Sequence, residues 1–203
     1  MLRLYDSRLS GNAWKVRILL TQLGMPFERV TLDLATGATR DPAFVAKSRF
    51  ARIPMLELED GRTIVESGAI LTYLAEGTDF MPVDRFSRAE VTSWLMFEQA
   101  DLLRNLAMPR FYAMRGMTAQ MADRIAVFHE VGYAALGKLE AWLTDREWLV
   151  DDRYTIADLG VFAYVSMAGQ GGYEMERFPA IVNWVSRIES RPGWVPLIDG
   201  EKA

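Results

Sequence analysis

The sequence predicts a small α/β lobe followed by an all-helical lobe, and three observations carry that expectation. The first 77 residues interleave short alternating runs with helical ones. Gly77, Asp79, Pro82 and Asp84 then mark a linker, at 78–86. The apolar runs after it recur at three- and four-residue spacing. The expected division is therefore 1–77, a linker at 78–86, and a helical lobe at 87–203, which suits a 203-residue chain able to form two compact lobes.

Leu2-Arg3-Leu4-Tyr5 alternates like a strand. From Asn12 to Leu23, Val16, Leu19, Leu20 and Leu23 fall at helical spacing, and Gly24 with Pro26 supplies the stop. Phe27 to Leu34 alternates again, and a weak helix follows over Asp41 to Ala46. Met55–Glu59 and Arg62–Val65 flank Asp60-Gly61, a pair suited to a type I′ hairpin. Ser67 to Ala75 carries Ile70, Leu71 and Leu74 on one helical face. One crossover and one hairpin then give a mixed sheet of four strands.

Beyond the linker, Phe86 to about Arg115 reads as one long helix that Pro109 should kink. A second helix covers Thr118 to Thr144, with Gly132 on its apolar face leaving room for a neighbouring helix. Thr155-x-x-Asp158 is a capping box ahead of the apolar run Leu159–Val165, so this helix is expected at the centre of the bundle. Phe178-Pro179 opens the last helix, and Arg191-Pro192-Gly193 ends it.

Composition narrows the chemistry. There is no cysteine, which removes disulfides and cysteine nucleophiles, and the single histidine, His129, leaves no multi-histidine metal site. The net charge of -4 argues against a dedicated nucleic-acid binder. Met1 to Asp6 has no apolar core of a signal peptide, and the longest charge-free stretch, Leu159–Tyr173, is 15 residues, too short to span a bilayer. These features read as a cytoplasmic protein that engages neither membrane nor nucleic acid.

Taken in order, several motifs resemble the cytosolic glutathione S-transferases, specifically bacterial serine-type or nu-like members. They are Tyr5, Ser10-Gly11-Asn12 running into Lys15-Val16-Arg17, Arg52-Ile53-Pro54-Met55-Leu56, Glu66-Ser67-Gly68-Ala69-Ile70, and Thr155-Ile156-Ala157-Asp158. The resemblance covers essentially the whole chain. It implies a thioredoxin-like N-terminal domain that binds glutathione as co-substrate, a helical C-terminal domain that shapes an electrophile pocket, and a homodimer without a metal.

Carried over residue by residue, the resemblance makes Ser10 the group that stabilises the glutathione thiolate, with Asn12 assisting. Tyr5 is the rival and Ser7 a third candidate. Pro54 matches a cis-proline, after which Ile53 would offer its backbone to the cysteinyl part of the tripeptide. Glu66 and Ser67 match the pair that holds the γ-glutamyl end, Arg52 a basic residue near the glycyl carboxylate, and Asp101 a group that reaches the γ-glutamyl ammonium across the dimer. Leu9, Met108, Tyr112 and Tyr164 would line the electrophile pocket. Where the family usually reads Asn-Pro-x-Gly before the cis-proline, this chain has Arg49-Phe50-Ala51-Arg52. The implied activity is conjugation of glutathione to small hydrophobic electrophiles. A glutathione-dependent disulfide or peroxide reductase, or a non-catalytic binding protein on the same fold, are the alternatives.

Overall fold

The structure is a computed structural model that describes residues 1–198. The chain divides into two compact units, Met1–Thr78 together with the segment from Arg191, and Asp79–Ser190. The part of the expected 87–203 lobe beyond residue 198 lies outside the described residues.

The first unit is thioredoxin-like. It contains β1 (Leu2–Asp6), α1 (Gly11–Gln22), β2 (Phe27–Thr31), α2 (Pro42–Val45), β3 (Met55–Glu57), β4 (Thr63–Val65) and α3 (Ser67–Ala75). The sheet order is β2-β1-β3-β4, with β1 and β2 parallel and the other pairs antiparallel. Because side chains alternate across a sheet, Leu4 and its partner Leu56 are fully buried on one face, where α1 and α3 pack together. Tyr5, Met55 and Val65 face the other side and form a cluster with Phe44, Leu32 and Ile53.

Three local expectations need correction here. In the β3–β4 hairpin Gly61 alone has positive φ (84°), with Gly61 N–H bonded to Leu58 C=O and Leu58 N–H to Arg62 C=O. That is a type I turn closed by a glycine bulge rather than a type I′ turn, and the Asp60 carboxylate fixes it by accepting from Arg62 N at 3.0 Å. The run from Ala13 to Leu20 in α1 is buried all round, including Lys15 and Arg17, rather than on one face. The reason is the segment from Arg191, which joins this unit and not the helical one. The Trp14 indole donates to Val195 C=O at 2.7 Å, Arg17 donates to Pro196 and Leu197 carbonyls, and Trp194 sets its ring edge against Trp14.

The second unit is helical, with α4 (Arg85–Phe97), α5 (Leu103–Met114), α6 (Ala122–Leu143), α7 (Ile156–Val165) and α8 (Pro179–Glu189). A π-helical turn over Glu98–Leu102 divides the long first helix into α4 and α5, and Pro109 lies inside α5. Proline lacks the N–H that would bond the carbonyl four residues back. That carbonyl, Asn105 C=O, instead lies 2.9 Å from the Tyr173 hydroxyl, which is also 2.9 Å from Phe128 C=O on α6. Gly132 makes room for this tyrosine rather than for a helix. A Cβ there would fall 2.1 Å from the Tyr173 hydroxyl oxygen.

In α7 every residue except Tyr164 is buried, and Thr155 and Asp158 complete the capping box. The Asp158 carboxylate is fully buried and accepts from Thr155 N (2.9 Å), Leu149 N (3.1 Å) and the Trp184 indole (2.9 Å). Burial pushes its carboxyl up to about 6 against the pull of those donors. Among the described residues no helix is long and apolar enough to cross a membrane.

Asp158→Ala leaves three buried donors unpaired and is expected to cost about 3–5 kcal/mol in urea unfolding. The raised native value means that the folded state binds the proton more tightly than the unfolded chain between about pH 4 and 6. Asp158's contribution to stability is therefore greatest below that window and falls as pH rises through it. The difference in urea midpoint between wild type and Asp158→Asn, followed across pH 4 to 7, checks the sign.

Candidate functional site

Register gathers the site. Val30, Tyr5, Met55 and Val65 lie in one row across the sheet. β1 and β4 run toward this row and β3 starts from it. The residues after β1 (Ser7 to Ser10), before β3 (Arg52 to Pro54) and after β4 (Glu66, Ser67) therefore leave the sheet at the same end.

Ser10 is the N-cap of α1, its Oγ accepting from Ala13 N at 3.2 Å. That bond uses an oxygen lone pair, so the hydroxyl proton is available for donation. The first turn of α1 contains no acid, leaving the positive end of the helix dipole uncompensated. One residue into the helix, Asn12 Oδ1 accepts from the Ser67 hydroxyl at 3.4 Å. The link joins the N-termini of α1 and α3, and it turns the Asn12 amide so that its NH2 is the group left to donate.

At the start of α3 Ser67 is buried, while Glu66 is exposed and occupies the N-cap position with φ +73° and no side-chain cap bond. A non-glycine residue held at positive φ stores strain, and such residues cluster at ligand sites. The first turn of α3 also lacks an acid, so its free N–H groups suit a carboxylate.

The Ile53–Pro54 peptide is cis, and the backbone N–H and C=O of Ile53 have no partner among the described residues. The loop before it is tied by Ser48, which is fully buried and whose hydroxyl accepts from Arg52 N (3.3 Å) and donates to Arg52 C=O (3.2 Å). Ala51 sits inside that loop at φ +51°. The Arg52 side chain is exposed.

Tyr5 is placed differently. Its phenol donates to Glu57 Oε2 at 2.7 Å and accepts from Lys47 Nζ at 3.3 Å. Burial, then the bond to Glu57, pushes the phenol above its ordinary value, and the bond from Tyr5 holds the Glu57 carboxyl below its own. Its proton is thus committed to Glu57. Ser7 is buried beneath the loop, next to an Asp6 carboxylate that takes Arg29 Nε at 2.6 Å and Arg17 Nε at 3.2 Å. This network was not expected from the sequence. Only the 5/57 spacing on one sheet face, once register is known, reveals it.

Leu9 is exposed in the first unit, and the other pocket candidates belong to the helical unit. Met108 and Tyr112 line a cavity of about 600 Å³ between α5 and α6, together with Asn105, Val127, Phe128 and two arginines the sequence reading missed, Arg104 and Arg124. Tyr164 does not line it. It lies on α7 on the side of Arg110, whose nearly buried guanidinium donates to Gln170 Oε1. The pocket candidates thus fall on two faces of α5. Asp101, half-buried on the π-helical turn, uses its carbonyl to accept from Asn105 Nδ2 at 2.6 Å. Among the described residues no group of three or more His, Asp or Glu side chains is placed to hold a metal.

Comparison with known proteins matches residues 1–76 to the glutathione S-transferase N-terminal domain and residues 126–192 to the glutathione S-transferase C-terminal domain. The crystal structure of a glutathione S-transferase from Pseudomonas fluorescens Pf-5 superposes with a TM-score of 0.95 at 37% identity, covering 98% of this chain and 99% of that one. The glutathione transferase URE2P6 from Phanerochaete chrysosporium, solved in complex with oxidized glutathione, gives a TM-score of 0.86 at 26% identity over 95% of this chain and 92% of that one. The disulfide-bond oxidoreductase YfcG of Escherichia coli K12 is 28% identical over 89% of this chain and 87% of its own length.

Left-handed backbone costs a non-glycine residue about 1–2 kcal/mol, part of which glycine returns through its greater unfolded-state freedom. Ala51→Gly is therefore expected to raise stability by up to about 1 kcal/mol, and Ser48→Ala to lower it by about 1–2 kcal/mol. Urea unfolding measures both. A destabilised Ala51→Gly would contradict the strained loop.

Proposed function

The chain belongs to the glutathione S-transferase family, and we propose that it binds glutathione at the N-termini of α1 and α3 and conjugates its thiolate to small hydrophobic electrophiles. The observation that carries this reading is the pairing of Ser10, capping α1 with its proton unspent, and Asn12, whose amide is turned outward by Ser67.

In this mechanism the γ-glutamyl carboxylate sits on the backbone N–H groups at the start of α3, and Glu66 pairs with the adjacent ammonium. Ile53 pairs its free backbone groups with the cysteinyl unit in strand fashion. Arg52 meets the glycyl carboxylate, and Asp101 of a second subunit adds to the γ-glutamyl contact in a cytoplasmic homodimer. A free thiol has a pKa of about 8.5. The Ser10 hydroxyl, the Asn12 amide and the helix dipole all favour its anion. The thiolate then forms the S–C bond while the electrophile's leaving group departs with its electron pair, or a conjugated double bond takes up the charge. Tyr5 does not fill this role, because its own proton is held by Glu57.

A second reading is favoured by the likeness to the E. coli disulfide-bond oxidoreductase and to the fungal structure holding oxidized glutathione. With no cysteine in the chain, two glutathione molecules would reduce a disulfide, giving two thiols and oxidized glutathione. The same thiolate site serves both readings.

Ultraviolet thiolate absorbance of bound glutathione across pH tests the site. Wild type should show a thiol pKa at least about one unit below the free value. Ser10→Ala should restore it and lower kcat/KM at neutral pH by about tenfold or more, with Ser10→Thr retaining most of both. The absence of saturable glutathione binding would overturn both readings. Comparing turnover of a chloronitrobenzene with that of a model disulfide separates them.

A further inference from the structure

The chain between β2 and β3, which delivers Arg52 and Ile53, has little regular structure of its own. It forms two 3-10 turns, Leu34–Thr36 and Ala38–Arg40, and the four-residue helix α2. A single helical turn has too few internal bonds to hold its own position. Apolar packing secures α2 at Phe44, which is buried and sets its ring 5.7 Å from that of Tyr5. Elsewhere this crossing stands off the sheet. A cavity of about 740 Å³ opens beneath it, lined by Tyr5, Leu32, Gly37, Ala38, Phe44 and Lys47 among others.

At Lys47 polar bonds take over from packing. Its ammonium donates to both carboxylate oxygens of Glu57 on β3, at 2.9 and 3.0 Å, and to the Tyr5 hydroxyl on β1 at 3.3 Å. Its carbonyl accepts from the Thr63 hydroxyl on β4 at 2.8 Å. One residue is thereby tied to three strands. An ammonium carries three N–H groups, and these three acceptors match them, so the side chain is committed to the sheet and not to a ligand. Ser48 follows directly, and its hydroxyl holds both backbone groups of Arg52. The position of Arg52 and Ile53 therefore passes back, through Ser48, to the ties of Lys47.

We infer that Lys47 is a positioning residue for the glycyl end of glutathione. By fastening the end of α2 to Glu57, Tyr5 and Thr63, it sets where Arg52 stands. It thereby sets the discrimination between the tripeptide and a ligand that lacks the glycyl unit. The inference rests on the glutathione reading above and adds a residue that touches no ligand. Ser10 and Asn12 lie on α1 and Glu66 and Ser67 at the head of α3, so neither thiolate stabilisation nor the γ-glutamyl contact passes through Lys47.

Calorimetric titration of the full chain with glutathione and with γ-glutamylcysteine, which lacks the glycyl carboxylate, tests this. Lys47→Met should weaken glutathione by about fivefold, the worth of about one hydrogen bond. It should weaken γ-glutamylcysteine less, so that the preference for glutathione falls by about threefold or more. With a chloronitrobenzene the KM for glutathione should rise while kcat and the pKa of the bound thiol stay as in wild type. Lys47→Arg, which keeps the pair with Glu57, should restore the preference. Glu57→Leu should reproduce Lys47→Met, and the double variant should be no worse than either single one. Amide hydrogen exchange over residues 49–53 should quicken in Lys47→Met while that of α1 does not. Equal losses for the two ligands, an unaltered preference, or unchanged exchange at 49–53 would each overturn the inference alone. Wild-type affinity in Glu57→Leu would also overturn it, by making Lys47 a direct ligand contact. A wild type that binds neither ligand would remove the glutathione reading and this inference together.

Discussion

The helical unit is organised around one carboxylate that solvent does not reach. Asp158 accepts from the backbone at Leu149 and Thr155 and from the Trp184 indole, so a single side chain fixes the start of α7, the segment leading into it and the face of α8. An ionised group in such a place is tolerable only with its acceptor capacity filled. That requirement is what makes the arrangement specific, since moving any of the three partners strands a charge or a donor. Tyr173 plays a related part between α5 and α6, where a side-chain hydroxyl takes the bond that Pro109 cannot make.

In the N-terminal unit the sheet's register does the organising. Because the row through Tyr5, Met55 and Val65 ends three connections at one edge, the loops that would read a tripeptide need no long excursions to meet. Two of those loops hold a non-glycine residue at positive φ, Ala51 before the cis-proline and Glu66 at the head of α3. Each is kept there by its surroundings, Ala51 by the two bonds of Ser48. Such positions are stiff, and stiffness favours recognition because little ordering remains to be done on binding.

Much of this was legible in the residues. The alternation of Leu2 to Tyr5, the Gly24 and Pro26 stop, the Ser67–Ala75 helix and the Thr155–Asp158 box all rest on local rules, and the fold follows them. What the sequence did not reveal depends on partners far along the chain. The bond missing at Pro109 is a local matter, whereas the hydroxyl that replaces it comes from 68 residues past Asn105. Asp60-Gly61 announced a hairpin but not its type, which the Asp60 side chain decides. Ser10 and Asn12 could be marked as candidates. The tie from Asn12 to Ser67 bridges 55 residues and needed the register to appear. The arginines of the α5–α6 cavity carry no motif at all. They become visible only when two helix faces are placed opposite each other.

The segment from Arg191 to Leu197 gives the molecule an order of assembly. It covers α1, supplying acceptors for the Trp14 indole and the Arg17 guanidinium. The helix capped by Ser10 leaves the ribosome well before its cover, because the whole helical lobe lies between them in the sequence. The N-terminal lobe therefore waits, its first helix uncovered, until the helical lobe between them has been synthesised.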